Sequence, residues 1–188
     1  MSTKSWRQPV FLITMVGCIQ FVLLTFIAML IYPGGTHDDP TTPGYSFFRN
    51  FFSDLGLTVL PSGESNTISF LLFTLTLTLA GLAIILFFLS SPALFKHTPG
   101  RIPSLLGSFI GVFSGLFYIG IAFTPANLYS EWHGNFVLLA FSSFLLVVIL
   151  YTIAIFLNKD YPNHYAYVYF VFAVLLGAYL WLLFAGPN

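Results

Sequence analysis

Val10-Phe-Leu-Ile-Thr-Met-Val-Gly-Cys-Ile-Gln-Phe-Val-Leu-Leu-Thr-Phe-Ile-Ala-Met-Leu-Ile31 contains no charged side chain. At about 1.5 Å per helical residue it is long enough to cross a hydrocarbon core of about 30 Å. It follows Lys4 and Arg7 as a signal peptide would, but no small-x-small cleavage site comes after it, and a cleavable apolar core is only about 7–15 residues. The run therefore reads as an uncleaved anchor and the first of a set. Uncharged apolar runs recur at 67–89, 102–123, 136–157 and 165–184. The expected fold is all-α: one integral membrane domain over residues 1–188, a polytopic helical bundle of five spans.

Composition supports that solvent. Of 188 residues, 57% are hydrophobic and 6% charged, too few charges to cover a water-soluble surface. The formal net charge is +0 and the basic residues are scattered, which excludes nucleic acid as a partner. Cys18 is the only cysteine, so neither an intrachain disulfide nor a cysteine-built metal or redox centre can form; inside its apolar run it serves as a small hydrophobe.

The connections alternate in charge. Lys4 and Arg7, then Lys96 and Arg101, then Lys159 fall on one side, whereas Arg49 shares the other with Asp38, Asp39, Asp54, Glu64 and Glu131. Positive residues stay in the cytoplasm. The N-terminus is therefore expected there, with the first long loop and the C-terminus outside. Lys96, His97 and Arg101 read as headgroup-facing anchors on the inner side.

That first loop, Pro33 to Ser65, is broken by Pro33-Gly34-Gly35, Pro40, Pro43-Gly44 and Pro61-Ser62-Gly63. Between the breaks lies Tyr45-Ser-Phe-Phe-Arg-Asn-Phe-Phe-Ser-Asp-Leu-Gly56. At about 100° per residue, Phe47, Phe48, Phe51, Phe52 and Leu55 share one arc, and Ser46, Arg49, Asn50, Ser53 and Asp54 the other. An amphipathic interfacial helix over 45–57 is the expectation. In the third span Gly107, Gly111 and Gly115 recur every four residues beside Ser104 and Ser108. Such a stripe lets a neighbouring helix approach closely; the alternative is a groove for a lipid tail. Tyr118 could offer a hydroxyl near the outer rim. Tyr165, Tyr167, Tyr169, Tyr179 and Trp181 read as interfacial belts of the fifth span, with no part in chemistry.

Spans without charged residues argue against a proton relay, a voltage sensor or a charge-coupled carrier, so polar chemistry is confined to a membrane face. The candidate catalytic group is Ser53, Asp54 and His133. If the loop meets the start of the fourth span, Asp54 could hold the imidazole tautomer and Ser53 act as nucleophile or headgroup ligand. Candidate ligand-binding residues are Arg49, for a phosphate, Asn50, for orientation, and Asn127 and Glu131 at the turn between the third and fourth spans. The bland alternative is that His133 caps its helix or rests at the interface, and that Asp54 pairs with Arg49 or caps a backbone amide. His37-Asp38-Asp39 is too sparse a pattern to expect a bound metal, and nothing names a cofactor.

The run Asn50-Phe-Phe-Ser53-Asp54-Leu-Gly56, with Tyr32-Pro33-Gly34 before it and Pro125 and His133 after the third span, resembles the domain-of-unknown-function family numbered nine-nine-eight, small prokaryotic multi-span membrane proteins. More distantly, Ser53-Asp54-Leu55-Gly56 with Pro61 is similar to the Ser-Asp-x-Gly segment in the first outer loop of the DRAM and GPI-lipid-remodelling membrane families. The resemblance implies an architecture of six spans, whereas this sequence stops after the fifth. A partner protein or a second copy would then supply the missing face, or bind through the third span.

Two functions follow as expectations. The first is recognition of a membrane lipid headgroup at the outer face, with catalysis left open. The alternative is a non-catalytic accessory or assembly subunit of a larger membrane complex; a carrier for a neutral solute comes third.

Overall fold

The computed structural model describes residues 7–96, 99–159 and 162–186; Lys4 and His97, expected among the anchors, lie outside them. Five long helices form where the uncharged runs predict: α1 (Arg7–Leu30), α2 (Thr67–Ser90), α3 (Arg101–Ala122), α4 (Ser130–Leu157) and α5 (Asn163–Phe184). Each is long and apolar enough to cross a membrane, so the chain is a helical membrane protein. A 3-10 segment, Ser91–Phe95, extends α2. Among the described residues no β-strand forms; isolated bridges pair Gly34 with Pro43 and Val59 with Ser65.

α4 begins six residues before its apolar run, and so takes Glu131, His133 and Asn135 into the helix. Hydropathy marks where a helix enters hydrocarbon, not where it starts. The His133 N–H already donates to the Tyr129 carbonyl at 2.8 Å.

Each helix packs on its neighbours in sequence, α1 on α2, α2 on α3, α3 on α4 and α4 on α5. Small residues set the closest approaches. A Cβ on Gly81 would lie 2.6 Å from the Gly115 carbonyl oxygen, and one on Gly115 would lie 2.7 Å from that of Gly81, so α2 and α3 touch backbone to backbone there. Further along the stripe, Gly111 leaves room for the Phe88 ring and Gly107 for the Tyr151 ring. The stripe is therefore filled by protein, and it is the close-packing reading that holds. Gln20, in the middle of α1, donates to the Thr76 carbonyl of α2 at 3.2 Å, an interhelical bond that hydrocarbon cannot replace.

The 31–66 connection folds back over the ends of α1, α2 and α3 as a cap. Leu55 and Leu60 enter one core with Ala28 and Tyr32 from the α1 side, Phe73 and Leu77 from α2, and Ile121 and Ala122 from α3. Asn66, almost wholly buried, fastens it by donating to the Leu55 and Leu57 carbonyls at 3.2 and 2.9 Å. Ser69 of α2 adds a bond to the Leu55 carbonyl at 3.1 Å.

Candidate functional site

The Tyr45–Gly56 stretch is not one amphipathic helix. Phe47–Arg49 makes a turn, Phe51 is extended at φ −69 and ψ 149, and only Phe52–Gly56 winds, as a 3-10 segment. The cause lies in the residues expected to form the polar face. Asn50 Oδ1 accepts the Ser46 N–H at 2.9 Å and Asp54 Oδ2 accepts the Phe51 N–H at 3.0 Å. These local side-chain bonds compete with helix hydrogen bonds for the same backbone groups.

The rings keep the lipid-facing sidedness expected of an interfacial segment, while part of the polar arc is drawn onto the protein. Phe47 is 71% exposed and Phe48 95%, whereas Asn50 is 8% exposed. The rings point outward, as suits a membrane interface, and the amide points inward. Asn50 Nδ2 donates to the Gly35 carbonyl and to Asp54 Oδ2, each at 2.9 Å. The Gly35 carbonyl also accepts from Tyr32 Oη at 3.2 Å. Gly35 sits at φ +91 and its N–H donates to the Thr42 carbonyl at 2.7 Å; glycine is the residue that holds that backbone without strain.

Asp54 is thus the half-buried centre of a small polar cluster. Burial raises its carboxyl above the ordinary aspartate range, opposed by the Asn50 amide, the Phe51 N–H and the charge of His37. Burial, with the Asp54 charge as a second cause, raises the Tyr32 phenol and pushes Tyr45 up to about 12. Asp39 behaves oppositely: exposed, it accepts from the Thr41 hydroxyl at 2.6 Å and the Thr41 N–H at 3.0 Å, and its carboxyl is lowered.

His133, nearly buried in α4, directs Nδ1 to the Thr124 carbonyl at 2.6 Å. A carbonyl only accepts, so Nδ1 carries the proton. Nε2 is buried without a hydrogen-bond partner among the described residues. The imidazole therefore serves the carbonyl of the chain leaving α3. Among the described residues no hydrogen bond or ion pair joins it to Asp54 or Ser53, and the imidazole whose charge reaches Asp54 is that of His37. Nor do three His, Cys, Asp or Glu side chains converge as a metal site among the described residues.

The loop does meet the α3–α4 turn, through a different residue. Asn127 Oδ1 accepts the Thr58 N–H at 3.1 Å and Asn127 Nδ2 donates to the Thr58 hydroxyl at 2.8 Å. With Asn50 and Asn127 both committed to the fold, the exposed candidates are Arg49 in its turn and Glu131 in the first turn of α4.

Ser53 has a distinct position. It lines a cleft of about 320 Å³ with Phe52, Phe21 of α1, Phe73 of α2, Tyr118 of α3, Phe141 of α4 and Tyr179 of α5. All five helices thus contribute, and the Ser53 hydroxyl, with no hydrogen-bond partner among the described residues, is the polar group at its loop end. A second cleft of about 340 Å³ shares Phe21 and Tyr118 and continues past Ala80 and Ile84 of α2. From Phe73 to Ile84 the groove runs about 16 Å along α2 at 1.5 Å per residue. The residues around Ser53 explain the local sequence. Asp54 turns back to Asn50, Leu55 fills the core, and Gly56 lies where a Cβ would be 2.5 Å from the Phe73 ring. Sequence reasoning found Ser53 and Tyr118 but gave Tyr179 no part; its place on the α5 face turned to the bundle was the available signal.

Comparison of the chain with known protein families, with curated proteins and with solved structures returns no match.

Proposed function

We propose that this membrane protein recognises a lipid, seating an acyl chain in the groove that opens beside Ser53 and holding the headgroup at the capped end. One observation carries the reading: an apolar groove built by all five helices has a free hydroxyl at its loop end. Pockets of this kind are mostly apolar with a few polar groups to fix orientation. Ser53 would meet the headgroup, with Arg49 the cation nearest in sequence for a phosphate. In this proposal the cap lies on the non-cytosolic side, the orientation the basic residues favour. Kinship with the nine-nine-eight family belongs to the same proposal and rests on Asn50-Phe-Phe-Ser53-Asp54-Leu-Gly56 with Tyr32-Pro33-Gly34, Pro125 and His133.

Volume separates a lipid tail from an inserted partner helix. A helix about 10 Å wide fills about 1,200 Å³ over 16 Å, about twice what the two clefts offer together. A single chain of methylenes fits where a helix does not. The proposal is recognition without catalysis, because Ser53 lacks a hydrogen-bonded base. The accessory-subunit reading is supported by α1 and α5, whose most apolar stretches are only 11% and 6% buried by protein.

The test is lipid extraction and mass spectrometry on protein purified in mild detergent. Wild type should retain a lipid that Leu77→Trp, which fills the groove, releases. Retention unchanged in that variant would refute the groove. Native mass spectrometry addresses the second reading, which a stable lipid-bound monomer would overturn.

A further inference from the structure

At the opposite end of the bundle lies another cavity, of about 200 Å³, between the end of α2 with its 3-10 extension, α4 and the start of α5. It shares no lining residue with the groove beside Ser53. Its wall combines Phe87 and Ile155 with four hydroxyl-bearing side chains, Ser91, Tyr151, Tyr165 and Tyr169.

Two of those hydroxyls belong to a buried triad. Ser91 Oγ is hydrogen-bonded to Tyr151 Oη, Ser108 Oγ lies 2.6 Å from the same oxygen, and the two serine oxygens are 3.3 Å apart. Exposure is 0% at Ser91, 5% at Ser108 and 3% at Tyr151. Each hydroxyl has one hydrogen and two lone pairs. A closed ring of three uses all three hydrogens internally and leaves one accepting lone pair on each oxygen. The triad wall can therefore accept a hydrogen bond but has no donor to spare.

Charge narrows the ligand further. Among the described residues no charged side chain lines the cavity, and an ion placed there would lose its hydration without a counter-charge. A carboxylate or phosphate is thus disfavoured by the missing cation and finds no donor on the triad. A neutral hydroxyl needs no counter-charge and can itself donate to the triad. The volume is that of about seven waters at about 30 Å³ each, enough for a small head and the first methylenes of one chain. The remainder of the chain would run out past Tyr165, half exposed on the bundle surface.

We infer that this cavity is a second lipid site, selective for a neutral, hydroxyl-bearing single-chain lipid such as a long-chain alcohol or a monoacylglycerol. It is independent of the groove beside Ser53 and stands whether or not that groove binds lipid.

The test is photolabelling of the intact protein in nanodiscs with a diazirine-bearing long-chain alcohol, and in parallel with the fatty acid of the same chain at neutral pH. The alcohol should label peptides around Leu94 and Tyr165–Tyr169, and unlabelled monoacylglycerol should suppress it. The fatty acid should label the same peptides about tenfold less, the equivalent of one hydrogen bond at about 1.4 kcal/mol. Ile155→Trp fills the cavity while keeping all three triad hydroxyls in the sequence and should abolish labelling there. Ser91→Ala should weaken it about tenfold by the same hydrogen-bond equivalence; the Ile155→Trp result decides the matter if the serine variant does not fold. Equal labelling by alcohol and acid, or labelling that survives Ile155→Trp, would overturn the assignment.

Discussion

Asn50→Ala is the sharpest probe of the cap. The substitution removes three hydrogen bonds, from the Ser46 N–H to Asn50 Oδ1 and from Asn50 Nδ2 to the Gly35 carbonyl and Asp54 Oδ2. Two of the three partners keep another bond, the Gly35 carbonyl from Tyr32 and the Asp54 carboxylate from the Phe51 N–H. The loss there is the net value of a hydrogen bond, about 1 kcal/mol each. The Ser46 N–H loses its acceptor, which adds about 1 kcal/mol. Opening of the cap should therefore become easier by about 3 kcal/mol, about a hundredfold in the opening equilibrium. Hydrogen exchange read by mass spectrometry in micelles measures this peptide by peptide. The expected pattern is faster exchange in peptides spanning 32–60 with α3 and α4 unchanged, since the helices keep their own packing. Wild-type protection across 32–60, or acceleration spread evenly over all five helices, would refute the assignment of Asn50 as the clamp of a locally folded cap.

Other outcomes follow from the same geometry. Gly81→Ala sets a Cβ 2.6 Å from the Gly115 carbonyl oxygen; because backbone cannot move aside like a side chain, the loss should be about 1–3 kcal/mol, read as a lower unfolding temperature in detergent. Asn127→Ala unties the loop from the α3–α4 turn at an exposed site, so about 1 kcal/mol of cap stability should be lost, with exchange rising around Thr58 rather than around Gly35. For pH, the raised carboxyl of Asp54 means that the folded cap holds its proton more tightly than the unfolded chain. The contribution is full below the ordinary value of 3.8 and is lost as pH rises through the raised one. Asp54→Asn should flatten that fall, measured as cap exchange corrected for its intrinsic pH dependence; an unchanged slope would show that another group titrates.

The five helices were legible because membrane crossing is a matter of length and composition, and runs such as Val10–Ile31 state both. The cap was legible only as a loop. Asn50 and Asp54 belong to the polar arc of a helical wheel, yet the same short side chains bond the backbone N–H groups of Ser46 and Phe51 and dissolve the helix that the wheel assumes. The outward turn of the rings was legible, since Phe48 faces out as an interfacial arc should, but the burial of Asn50 was not. The pairing of Asp54 with an imidazole was an expectation from residue type; nothing in spacing reveals that Asp54 takes its hydrogen bonds from Asn50 and the Phe51 N–H, or that His133 turns Nδ1 to the Thr124 carbonyl. On α5, Tyr167 and Trp181 lie exposed as belt residues should, but Tyr165 and Tyr169, one turn apart, face a cavity. Composition cannot separate those two uses of tyrosine; helical phase can.

The order in which the helices touch has a bearing on biogenesis. Since each span leans chiefly on the one made just before it, every newly inserted segment finds its docking surface already in the membrane. The nascent chain can then assemble stepwise, with little contact order to delay it. The 31–66 segment differs, because its anchor at Thr58 waits for a turn synthesised almost seventy residues later. Truncated chains ending before Asn127 should accordingly insert normally while their first extramembrane loop is cut by protease about fivefold faster, so that closure of that loop is completed late in the maturation of the protein.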